Sequence, residues 1–153
     1  MGAPVTVRVE EGDFDIAAEI AAVKRASSDV GAVVSFTGVC RGENGRLSAL
    51  ELEHYPDMAE SEIRRIAEEA ATRWQLAAVT VVHRHGRIAV GDNVVLVVTA
   101  SEHRHAAFEA AGFLMDYMKS RAPFWKKEHL AGGGEGGWVA ARQADEDIVG
   151  RRR

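Results

Sequence analysis

Four cations fall between Asp116 and Glu128 with no acid among them: Lys119, Arg121, Lys126 and Lys127. They stand out because the chain as a whole is acidic, with 19 lysines and arginines against 23 aspartates and glutamates and a net charge of −4. The cations bracket Ala122, Pro123, Phe124 and Trp125, and a proline there ends a helix and turns the chain, carrying Lys126 back toward Lys119. Gathered in one place, such groups hold a phosphorylated or carboxylated ligand by charge-assisted hydrogen bonds. Crowding of like charges also favours a neutral amine, the form that acts as base or nucleophile. The same residues have a plainer reading, because the macrodipole favours cations at the end of any helix.

A second candidate lies at the other end of that helix. His103 and Arg104 follow Ser101, which reads as its N-cap, and unsatisfied N–H groups there favour an anion. A helix rises 1.5 Å per residue, so Arg104 and Lys119 stand about 22 Å apart on one straight helix. One small ligand cannot touch both within a chain. If both act, they come from two chains or serve different parts of a large partner, and the expectation is a symmetric dimer with sites built from two chains.

Other chemistry finds less support. The pairs His83/His85 and His103/His105 have no obvious third ligand, so no metal is expected. The glycine cluster of residues 132–137 lacks the Lys-Ser/Thr of a phosphate-binding P-loop and reads as a mobile loop. Cys40 beside Arg41 has the makings of an activated thiol, although a lone cysteine is usually inert. A single cysteine also excludes a disulfide framework, which fits a reducing, cytoplasmic setting. The longest apolar run is the five residues Val94, Val95, Leu96, Val97 and Val98, far too short to span a bilayer. The acidic balance argues against a nucleic-acid binder. Gly2 and Thr6 match the loose myristoylation pattern, a weak signal when alone.

The elements that must position these residues follow from periodicity. Residues 5–9 alternate as a strand. Ile16, Ile20 and Val23 form a helical stripe that starts at Asp13 or Asp15. Residues 31–38 read as a buried strand, 39–46 as a loop and 50–55 as a half-wet strand. Pro56 and Asp57 open a helix whose inner face is Ile63, Ile66, Ala67, Ala70 and Trp74. Strands follow at 79–83 and 93–99, with residues 85–92 as the connection between them. The long helix buries Ala107, Ala111, Leu114, Met115 and Met118 and runs to about Arg121. A strand at 124–128 and a closing segment from Trp138 to Arg142 flank the glycine loop at 131–137. The 153 residues, 46% hydrophobic, make one α+β or α/β domain with an ordered core over about 5–143 and a tail at 144–153.

Taken in order, these segments resemble the large, catalytic subunit of molybdopterin synthase, the MoaE family. The resemblance rests on Val34, Ser35, Phe36, Thr37 and Gly38 with Arg41; on Leu52 through Pro56; on Val82, His83, Arg84 and Gly86; and on Gly91 and Asp92. It continues through Ser101 to Arg104, Ala107 to Glu109, Met115 to Tyr117 with Lys119, Ala122 to Lys126 with Glu128, and then Trp138 and Arg142. It covers about residues 5–143.

The resemblance implies an α/β hammerhead fold with a small antiparallel subdomain. It implies a sulfurtransferase of molybdenum cofactor biosynthesis that converts cyclic pyranopterin monophosphate into molybdopterin. The sulfur donor would be the thiocarboxylated C-terminal glycine of a small ubiquitin-like subunit. This chain would form the homodimeric core of a heterotetramer, with no cofactor or metal of its own. By the same resemblance Lys119 and Lys126 are catalytic, and Val39, Cys40, Arg41, His103, Arg104, Lys127, Glu128 and Arg142 contact substrate. Val39 departs from the family, where a basic residue often follows Thr-Gly. The alternative function is a non-catalytic adaptor for the tail of a ubiquitin-like protein. Such an adaptor would not need both lysines together with His103 and Arg104.

Overall fold

A computed structural model describes residues 2–55 and 57–140. Arg142 and the tail at 144–153 lie outside the described residues. The chain runs β1 (Val5–Glu10), α1 (Ile16–Lys24), β2 (Ala32–Val39), β3 (Leu47–His54), α2 (Met58–Arg73), β4 (Ala78–Arg84), β5 (Gly86–Ala89), β6 (Asn93–Ser101), α3 (Arg104–Ser120), β7 (Phe124–Leu130) and β8 (Val139–Ala140). The strands form two four-stranded sheets, ordered β1-β4-β6-β2 and β5-β3-β7-β8. The first is mixed, since β1 pairs parallel to β4 while β6 runs antiparallel to both β4 and β2. Every pairing in the second is antiparallel. The class is α+β, with the smaller antiparallel sheet as the expected subdomain.

The first sheet is covered on both faces, which explains why β4 and β6 are apolar without alternation. Val79, Val81, Val95 and Val97 point to one face, against Ile63, Ala67 and Ala70 of α2 and Ala110, Ala111 and Leu114 of α3. Val82, Leu96, Val98 and Ala100 point to the other, where Val23, Ile16 and Ile20 of α1 close the core. Asp15 caps α1, its carboxylate accepting the Ala18 N–H at 3.0 Å. The second sheet buries its own small cluster of Cys40, Leu52 and Ile88.

Three expectations need correction. β2 is an edge strand rather than a buried one, with Ser35 and Phe36 exposed, because among the described residues only β6 pairs with it. Ser101 does not cap α3. It ends β6, pairs with Ala32, and its hydroxyl donates to the His103 carbonyl at 2.5 Å. His103, extended at φ −121° and ψ 149°, is the N-cap. The connection at 85–92 contains β5, whose Ile88 is fully buried.

Candidate active site

Two elements meet to make the site. The last turn of α3 carries Lys119, and β7 leaves the turn at Pro123 carrying Lys126. Both side chains line one cavity of about 110 Å³. The remaining wall is Leu50 and Leu52 of β3, His83 of β4, Val94 and Val95 of β6, Met115 and Met118 of α3, Ala122 and Phe124. The two lysines therefore border a cleft lined, His83 apart, by apolar side chains, and Lys119 is open to solvent, where an anionic ligand can reach it.

The floor is ordered by ring stacking. His83 lies against Phe124 with ring centroids 4.0 Å apart and planes at 19°. Its Nδ1 is 2.7 Å from the Arg84 carbonyl, an acceptor only, so Nδ1 carries the hydrogen. Burial, and then the charge of Lys119, push its pKa from 6.5 down to about 4, so the ring is neutral at pH 7. His54 stands beside it, its ring 4.6 Å from that of His85, and burial and the His85 charge lower its pKa as well.

The other sequence-derived candidates spread outward from this centre. Cys40 is buried with Leu52, one layer behind the cavity wall, and burial pushes its thiol pKa up. That is the environment of an inert cysteine. Val39 is exposed at the end of β2, where the register shifts after Gly38. Arg41 extends into solvent with Glu43 3.9 Å away. On β7, successive side chains alternate faces. Lys127 points away from Lys126, its Nζ 3.4 Å from Glu135 and 4.6 Å above the Trp138 ring. Glu128 accepts two hydrogen bonds from the Arg46 guanidinium at 3.1 and 2.8 Å, which hold its carboxyl below the usual range. His103 and Arg104 are exposed at the far end of α3. The glycine segment is tied back to β7, with Leu130 and Gly136 N–H groups donating to Gly134 and Glu128 carbonyls. Among the described residues, no three His, Cys, Asp or Glu side chains are placed to hold a metal ion.

A family model of the MoaE protein matches residues 9–121. The chain belongs to the MoaE family. It is 66% identical over 146 residues to the molybdopterin synthase catalytic subunit of Mesorhizobium japonicum, an alignment covering 95% of this chain and 92% of that one. Among solved structures it is similar to molybdopterin cofactor biosynthesis protein E of Burkholderia multivorans, with TM-score 0.82, 44% identity and coverage of 97% and 96%. Molybdopterin synthase of Staphylococcus aureus is similar at TM-score 0.77 and 29% identity, covering 86% of this chain and 95% of that one.

In this MoaE chain, sequence reasoning missed two residues. His83 enters the sequence reading as half of a histidine pair and within the Val82–Arg84 segment of the resemblance, with no role of its own. The usable signal was a titratable residue closing an apolar strand that must be buried on both faces. Arg46 looked like one turn residue among several, yet it joins the loop before β3 to Glu128 on β7 and also contacts Glu43.

Proposed function

We propose that this chain is the catalytic subunit of a molybdopterin synthase, a sulfurtransferase acting on cyclic pyranopterin monophosphate. The sulfur comes from the thiocarboxylated C-terminal glycine of a small ubiquitin-like subunit, and the product carries the dithiolene of molybdopterin. One observation carries the reading: Lys119 and Lys126, seven residues apart in the chain, share one apolar cleft. The cleft is smaller than the roughly 300 Å³ at which sites begin to enclose a whole ligand. It suits a narrow glycine tail and the reacting carbon atoms, while the rest of the pterin lies outside.

In this mechanism Lys119 positions and polarises the thiocarboxylate as its sulfur attacks the pterin side chain, and stabilises the oxyanion that develops at the acyl carbon when water adds to the resulting thioester. Lys126 binds the substrate phosphate by a charge-assisted bond. His103, Arg104 and Arg41 hold the outer part of the substrate. Because α3 keeps His103 and Arg104 about 22 Å from Lys119, they act on the site of a second copy of the chain. Val39, Lys127, Glu128 and Arg142 complete the substrate-binding set, Glu128 through its bond to Arg46 and Cys40 through backbone alone. The apolar cleft and the single buried thiol suit a cytoplasmic enzyme that receives its sulfur from a partner.

The test mixes the protein with a thiocarboxylated carrier and the pyranopterin monophosphate, and follows the oxidised product by fluorescence. Product is expected with the native chain and at least 10²-fold less with Lys119→Ala, the range for loss of one oxyanion donor. Carrier binding without product in the native chain would favour the adaptor instead.

A further inference from the structure

The cavity holds two groups that donate and one that accepts. Lysine ammoniums have three donors and no acceptor, and the remaining lining outside His83 is aliphatic, aromatic or thioether. Sulfur transfer nevertheless requires a proton acceptor. Once thiocarboxylate sulfur has bonded to the pterin side chain, the carrier is attached as a thioester, and water must free it. We propose that His83, through Nε2, is the residue that takes the proton from this water. The proposal rests on the sulfur-transfer reading above.

The geometry supports this assignment. With Nδ1 committed to the Arg84 carbonyl, the lone pair of the neutral ring is on Nε2. Stacking on Phe124 and pairing of its backbone with Val95 of β6 leave the ring little freedom to turn. Among the described residues, no fully occluded side-chain nitrogen or oxygen lacks a hydrogen-bond partner. Nε2, on the ring edge away from Arg84, is the nitrogen left for the cavity. The titratable groups around it are Lys119 from α3 and Lys126 from β7, which line the same cavity, with His54 from β3 and His85 beyond β4. Burial first, and then the charge of Lys119, disfavour protonation of the ring, which keeps Nε2 unprotonated before substrate arrives. A bound phosphate and thiocarboxylate offset the lysines and raise the ring's basicity at the moment it is needed.

The step balances as follows. A water O–H bond breaks and its proton goes to Nε2, while the water oxygen bonds to the acyl carbon. The acyl carbon–sulfur bond then breaks with its electron pair on sulfur. The carrier departs as a carboxylic acid and the pterin keeps a thiolate, which takes the proton back from Nε2.

His83→Asn tests this, because the Asn amide replaces Nδ1–H and leaves nothing at Nε2. The variant is assembled with thiocarboxylated carrier and the pterin monophosphate, and quenched samples are read by mass spectrometry. The expected result is an accumulating covalent carrier–pterin adduct, released on the order of 10²-fold more slowly than by the native enzyme. Formation of the adduct stays within a few-fold. Release at the native rate from a folded variant overturns the proposal. Absence of any sulfurated pterin with the native enzyme overturns the sulfur-transfer reading and this proposal with it. If His83→Asn does not fold, ¹⁵N NMR of the native protein decides at pH 7. A His83 ring protonated at Nδ1, whose resonance moves when the pterin monophosphate binds, supports the role. A ring protonated at Nε2 overturns it.

Discussion

A buried histidine must be interpreted with its neighbours, and His83 shows how. Placed on β4 between two covered faces, it would be an ordinary core residue if Phe124 alone packed on it. Lys119 and the cavity beside it turn the same burial into a chemical property. That property has a measurable consequence for stability. The unfolded ring titrates near 6.5 and the folded one near 4, so between these values the unfolded state binds more protons. Stability from this group is therefore complete above about pH 6.5 and is lost as pH falls toward 4. His54, lowered in the same sense, adds to the loss. Glu128 and Asp13 have lowered carboxyl pKa values and act later, below their unfolded values near 4.5 and 3.8. Urea unfolding at pH 7 and pH 4.5 should show the native chain losing stability on the order of 3 kcal/mol or less from His83, and His83→Asn should lose correspondingly less. Equal losses in both proteins would refute the buried neutral ring.

Elements are where sequence and structure agree most and where the misses are most informative. The three helices were legible because their apolar stripes recur at 3.6 residues over nine to seventeen positions. β4 and β6 were legible as apolar, β-branched runs. β5 was not, since Gly86, Arg87, Ile88 and Ala89 offer one bulky apolar residue within a stretch rich in turn formers. The cap of α3 was misplaced because Ser101 is a good capping type; pairing with Ala32 holds it in the sheet, so the helix starts two residues later. The junction that results is tight. Gly31 donates its N–H to the Ser101 carbonyl at 3.0 Å, and a Cβ at Gly31 would collide with the Glu102 carbonyl oxygen. Gly31→Ala must push apart β2 and the start of α3, where His103 and Arg104 sit. It should cost about 1–3 kcal/mol, as overpacking does, and lower the melting temperature by several degrees. Synthase activity should fall further than that of an equally destabilised α1 variant, because the displaced residues are those proposed to hold substrate. Unchanged melting would show that the junction yields without strain.

At the scale of the whole molecule, the length of α3 decides how the enzyme can work. Residues at its two ends cannot serve one small substrate, yet both ends carry the cations expected to do so. The pair of lysines was legible in the sequence as a charge anomaly. The turn at Pro123 also pointed to their approach, but not to the cavity they share, which depends on where β3 and β6 place Leu50, Leu52, Val94 and Val95. If His103 and Arg104 bind substrate as proposed, the distance requires a second chain, and that makes a sharp prediction about mixtures. Lys119→Ala and Arg104→Ala proteins are each expected to be nearly inactive. When they are mixed under conditions that exchange subunits, half of the dimers pair one of each. In such a dimer one site carries both lesions and the other carries none. Activity should return to about a quarter of the native level, the share of intact sites in a randomly exchanged two-fold dimer. If Arg104 served the site of its own chain, every site in the mixture would carry at least one lesion. The mixture would then stay as inactive as its parts. Titrating the ratio of the two proteins adds a second constraint, since recovered activity should peak at equal amounts and fall symmetrically on either side.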